Sequence, residues 1–153
     1  MQAVDSKKEK LDANQIVVIA AQNTKSPYPS TTVLGMLLKE AQAPGVSLLR
    51  YGNTLYIIHP NPNKKSTGSF RALNADTAEN FLQSGYEFVK DAYEKGFDVL
   101  QTSFQDESIL NIFRTISKNP PQEGMGYSVR RTKSDGFHVM LKLGPARMEG
   151  QLQ

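Results

Sequence analysis

Between residues 67 and 97 the chain reads TGSFRALNADTAENFLQSGYEFVKDAYEKGF: a short strand, a corner and a long helix. This arrangement can hold a phosphate, because main-chain N–H groups at a helix start carry partial positive charge and lack partners of their own. The corner, Arg71-Ala72-Leu73-Asn74-Ala75-Asp76, offers a guanidinium at Arg71 to meet an anion. Asn74 is tolerant of left-handed backbone, the conformation a tight phosphate loop needs. Yet the corner contains no glycine, and Asp76 brings a carboxylate to the place an anion would occupy. Asp76 can cap the helix itself, with Glu79 three residues on as reciprocal partner. The corner therefore reads as self-capped.

Other reactive side chains are sparse. His59 and His138 are the only histidines, and neither has a clear acidic partner, so they make neither a metal site nor a triad. Ser30, Thr31 and Thr32 open a helix and read as caps. No catalytic residue and no metal-ligand set is expected. The basic clusters KKEK (7–10), NKK (63–65) and RRTK (130–133) read as solvated faces. Of these, Arg130, Arg131 and Lys133 are where a nucleic acid would be met, with steep salt dependence as its signature.

The elements that position these residues follow from pattern. QIVVIAAQN (15–23) is β-branched and short, and predicts a buried strand. A proline-punctuated loop (24–30) precedes a helix over 31–43, with Val33, Leu34, Leu37, Leu38 and Ala41 at helical spacing. Residues 46–60 predict a hairpin around Gly52-Asn53, and 59–68 an exposed loop. After the strand SFRALN, a helix over 77–95 aligns Phe81, Gly85, Phe88, Val89 and Ala92, and Gly96 ends it. Gly85 inside that helix suggests close packing of another backbone. A strand over 97–104 and a helix over 106–119 follow, then a strand pair turning on Ser134-Asp135-Gly136. The order is β-α-ββ-β-α-β-α-ββ, an α+β (α/β mixed-sheet) domain with helices on its faces. Phe81, Phe88, Phe104 and Phe113 fall on apolar faces and read as core. Tyr51 and Tyr56 in the first hairpin are candidates for a protein contact.

Length and composition bound the classes. A chain of 153 residues supports one core, and 39% hydrophobic with 22% charged residues fits a folded globular protein. The longest apolar run, IVVIAA (16–21), is far short of the roughly 20 residues a membrane span needs. No secretory signal is visible, and the absence of cysteine excludes disulfides and thiolate metal sites. A net charge of +3 is too mild to announce nucleic-acid binding. The expected setting is a virion or the cytoplasm, neither secreted nor membrane-bound.

Over residues 15 to 143 this order resembles the fold of the GNAT superfamily of N-acetyltransferases. The resemblance implies that the corner before the long helix would carry the acetyl-CoA pyrophosphate on a motif of Gln or Arg, two residues, Gly, one residue, then Gly or Ala. Arg71 matches the first position, while Asn74 and Asp76 stand where the glycines belong. The family's proton-donating tyrosine falls at Phe113, which has no proton to give. Its general base would lie near the flanking strands, where only Asp98 offers an acid. The resemblance is therefore to a degenerate member, similar to the acetyltransferase-like domains of small virion-associated proteins of tailed bacteriophages. It implies a non-catalytic structural or interaction protein without a cofactor. Its protein partners would be met by polar arms at 1–14 and 144–153 and by the 50–65 hairpin and loop. The alternative is an active acetyl-CoA-dependent N-acetyltransferase with a divergent loop, in which Arg71 and main-chain groups near Asn74 hold the pyrophosphate.

Overall fold

A computed structural model describes residues 11–23 and 30–145. Four helices and six strands follow one another as α1 (Ala13–Asn23), α2 (Ser30–Ala41), β1 (Ser47–Tyr51), β2 (Thr54–Asn61), β3 (Lys64–Asn74), α3 (Ala78–Glu94), β4 (Val99–Phe104), α4 (Ile109–Lys118), β5 (Gly126–Arg131) and β6 (Phe137–Lys142). The strands form one mixed sheet in the order β1-β2-β3-β4-β6-β5. β3 and β4 are parallel, from Thr67 opposite Val99 to Ser69 opposite Gln101. β4 and β6, and β6 and β5, are antiparallel. The mixed sheet and the α+β class are as the sequence predicts, with corrections at the first element and at residues 59–68.

That element is a helix, not a strand. Asp12 and Gln15 form a reciprocal capping box: the Gln15 N–H donates to Asp12 Oδ1 at 2.8 Å, and the Asp12 N–H donates to Gln15 Oε1 at 2.9 Å. Two N–H groups at the helix start are thereby satisfied. Among the described side chains of this helix Ile16, Val17 and Ala20 are buried, a helical and not an alternating spacing. β-Branched composition favours a strand only weakly, and here the cap and the packing of α1 on α2 decide. A second correction concerns 59–68: β2 runs to Asn61 and β3 begins at Lys64, so most of the expected loop is strand. The two strands approach closely there, since a Cβ on Gly68 would lie 2.5 Å from the His59 carbonyl oxygen. Residues 1–10 of the expected N-terminal arm and 146–153 of the tail lie outside the described residues.

The contacts group the chain into two compact units, and β2, β3 and α3 run through both. The first holds the described residues up to Ile57 with Ala72–Ser84. Its core is Ile16, Val17, Leu37, Leu55 and Ile57, with Val33, Val46 and Leu73 packed against it. The second holds Ile58–Arg71 and the residues from Gly85 onward. Its interior joins Phe88 and Val89 of α3 to Phe70, Leu100, Val139 and Leu141 of the strands. Phe70 and Phe88 meet with ring centroids 4.9 Å apart. Gly96 ends α3 with φ of +108°, its N–H on the Tyr93 carbonyl and that of Phe97 on the Ala92 carbonyl. This paired closure is the Schellman arrangement that glycine permits.

Candidate functional site

The corner predicted to decide function lies at the end of β3, in the first unit. Its main-chain N–H groups are almost all engaged. The Ala75 N–H donates to the Asn53 carbonyl at 3.0 Å, and the Asp76 N–H to Asn74 Oδ1 at 3.1 Å. The Thr77 N–H donates to Asp76 Oδ1 at 2.9 Å, and the Asn80 N–H to Thr77 Oγ1 at 3.2 Å. Thr77 is thus the helix cap, one residue beyond the expected Asp76, and its own N–H is taken by Asp76 and not by the expected Glu79 side chain. The displacement has a physical reason: the Asp76 carboxylate is drawn to other donors. Its Oδ1 also accepts the Asn80 side-chain amide at 2.8 Å, and its Oδ2 accepts the Asn53 N–H at 3.2 Å. Among the described residues, no acceptor is found for the first-turn amides of Ala78 and Glu79.

These donors set the charge of Asp76. Partial burial pushes its carboxyl up, but donation from Asn80, Thr77 and Asn53 outweighs this and holds it below its ordinary value of 3.8. A full negative charge therefore sits at the start of α3 at neutral pH, where it complements the helix dipole.

Asn74 does not wait with a free side chain. Its Oδ1 accepts the hydroxyl of buried Thr54 at 2.8 Å, and its amide donates to the Asp76 carbonyl at 3.2 Å. The hairpin turn is fastened from the other side as well. Asn53 Oδ1 accepts the Leu11 N–H at 2.9 Å, Arg50 Nε donates to the Gly52 carbonyl at 2.8 Å, and its guanidinium donates to the Leu11 carbonyl. The corner, the β1–β2 turn and the entry to α1 form one hydrogen-bonded network.

The remaining predicted residues fall in the second unit. Arg71 is an exposed residue of β3 and engages a partner of its own. Phe113 is buried in an aromatic cluster, stacked on Phe104 at 5.9 Å and beside Tyr127 at 6.1 Å. Asp98 closes the start of β4, its N–H on the Ser66 carbonyl and its own carbonyl accepting from Leu143. His138 holds both ring nitrogens in hydrogen bonds at 2.9 Å, Nδ1 with Ser103 Oγ and Nε2 with Gln101 Oε1. Among the described residues no group of His, Asp and Glu could hold a metal ion.

Thr54, Thr77 and Asn80 were not singled out by sequence reasoning, and Asn53 only as a turn residue. Thr77 and Asn80 carried a readable signal, a threonine cap followed three residues later by a polar side chain. Asn53 and Thr54 carried none, because their roles depend on pairing with residues more than 19 positions away.

Known structures share this architecture. A ribosomal-protein-alanine N-acetyltransferase from Brucella melitensis superposes with a TM-score of 0.54 at 13% identity, covering 91% of this chain and 94% of that one. A second such enzyme, from Escherichia coli, gives 0.55 at 10% identity, covering 92% and 95%. A Salmonella typhimurium protein assigned as an acetyltransferase, solved with its cofactor acetyl-CoA, gives 0.56 at 11%, covering 88% of each. The fold is GNAT-like. At these identities the likeness establishes fold and not activity. No protein-family profile matches the chain, and no curated protein does.

Proposed function

We infer that this chain is a non-catalytic structural or interaction protein built on the acetyltransferase-like scaffold. The observation that carries this reading is the Asp76 carboxylate bonded to the Thr77 N–H at the start of α3. A diphosphate at that helix start would compete with Asp76 for the amide and would meet its negative charge. Like charges about 4 Å apart repel by roughly 1 kcal/mol in water and about fourfold more at a partly shielded surface. Phe113, where the family's proton donor would stand, adds no acid.

The setting we favour is a bacteriophage virion or its assembly, met through the terminal arms and the 50–65 hairpin. The cysteine-free, mildly basic composition of the chain supports it. One observation favours the second reading, an acetyl-CoA-dependent N-acetyltransferase. The parallel pairing of β3 with β4 stops at Ser69 and Gln101, although both strands run on, to Asn74 and Phe104.

Calorimetric titration of the full chain with acetyl-CoA at moderate salt separates the two. The scaffold reading predicts no heat and no thermal shift at millimolar cofactor. Micromolar binding that is lost in Arg71→Ala would overturn it in favour of the enzyme.

A further inference from the structure

The outward face of β4 and β6 carries a polar arrangement that the scaffold reading does not use. Gln101 and Ser103 are two residues apart on β4 and so share one face of the sheet. His138 stands directly across from Ser103 on β6. Its ring bridges the two, with Nε2 2.9 Å from Gln101 Oε1 and Nδ1 2.9 Å from Ser103 Oγ. A carbonyl oxygen can only accept, so Nε2 carries the hydrogen and donates to Gln101. The Nδ1 lone pair is then left to accept the Ser103 hydroxyl proton. Ser103 is exposed and His138 half-buried, so the hydroxyl is open to solvent while the base behind it is held in place.

This is the relation of a nucleophile to a base that is itself oriented by a third group. Ser103 also lies two residues beyond Gln101, where the pairing of β4 with β3 ends. In an antiparallel ladder successive residues alternate in turning their N–H toward and away from the partner strand. One of Thr102 and Ser103 therefore turns its N–H away from β6, past the last residue paired with β3.

We propose that Ser103 is an acyl-acceptor site, a serine made nucleophilic by His138 and modified by activated acyl esters and thioesters. In this step Ser103 Oγ bonds to the acyl carbon, its proton passes to His138 Nδ1, and the bond to the leaving oxygen or sulfur breaks. His138 returns the proton to the leaving group, and the product is an ester on Ser103. His138 is the catalytic base, and Gln101 is a positioning residue that fixes the ring. The chemistry is independent of the corner at Asp76.

The test uses the full chain and 4-nitrophenyl acetate, followed by nitrophenolate release and by peptide mass mapping. One equivalent of nitrophenolate and one acetyl group on Ser103 are expected, with both absent in Ser103→Ala. General-base assistance contributes on the order of 10²-fold or more, so His138→Gln should acylate Ser103 at least about a hundredfold more slowly while melting as the parent does. Gln101→Leu should slow the step by less, with Ser103 still the acylated residue. Acetyl groups spread over lysines without preference for Ser103, or Ser103 acylation at the parent rate in His138→Gln, would overturn the proposal.

Discussion

Replacing Asp76 with alanine probes the network that holds the corner. Three donors lose their acceptor: the Thr77 N–H, the Asn80 side-chain amide and the Asn53 N–H. Thr77 and Asn80 are exposed, so water replaces the carboxylate at a net cost of a few tenths of a kcal/mol each. Asn53 is only 5% exposed, and a buried amide left unpaired costs about 1–3 kcal/mol. Removing an anion from the helix start adds about 0.3–1 kcal/mol. The sum is roughly 2–5 kcal/mol, most of it from Asn53. Urea unfolding should show the midpoint falling by that free energy divided by the slope, with the slope itself unchanged. The pH dependence gives a second reading. Because the folded state holds the Asp76 carboxyl below 3.8, the carboxylate contributes stability that is fully present above that value and fades as pH falls through the lower folded value. The gap between the parent and Asp76→Asn should therefore be widest near neutral pH and shrink below about pH 3.8. A loss under about 0.5 kcal/mol in Asp76→Ala, or a gap that widens on acidification, would refute the network.

Three further perturbations test neighbouring links. Thr77→Ala removes the side-chain cap of α3 and should cost about 1 kcal/mol in urea unfolding, whereas Glu79→Ala should be near neutral. Gln15→Ala opens half of the capping box on α1 and should lower stability by about 0.5–1 kcal/mol with a loss of far-ultraviolet helical signal. Gly68→Ala places a Cβ 2.5 Å from the His59 carbonyl oxygen, so strands must part. Its melting temperature should drop by several degrees, consistent with a cost of about 1–3 kcal/mol.

The long helix was legible because its apolar positions recur at 3.6 residues and Gly96 stops it. The final hairpin was legible too, although Asp135 and not Gly136 takes the left-handed position, with φ of 62°. Residues 15–23 misled because a short apolar β-branched run fits a buried strand and a buried helix equally well. Asp12 and Gln15, three residues apart, were the discriminating signal, and they lie just outside the apolar run. At the corner, the carboxylate facing the helix start was readable from Asp76 alone. Which residue caps was not, because Asp76 is shared with Asn53, 23 positions away, and yields the cap to Thr77. The Gln101–His138–Ser103 arrangement was beyond reach for a similar reason. It exists only in the register that sets Ser103 opposite His138, and register is a property of the paired strands.

At the start of α3 the Asp76 carboxylate holds the Thr77 N–H, and the scaffold reading requires that no diphosphate bind there. A nitrogen-15 NMR titration of the full chain with acetyl-CoA reads that directly at the backbone amides of Ala75 to Asn80. A non-catalytic scaffold leaves these resonances in place up to millimolar cofactor. Saturable shifts of the Thr77, Ala78 and Glu79 amides at micromolar concentration would contradict it and mark the corner as a working cofactor site.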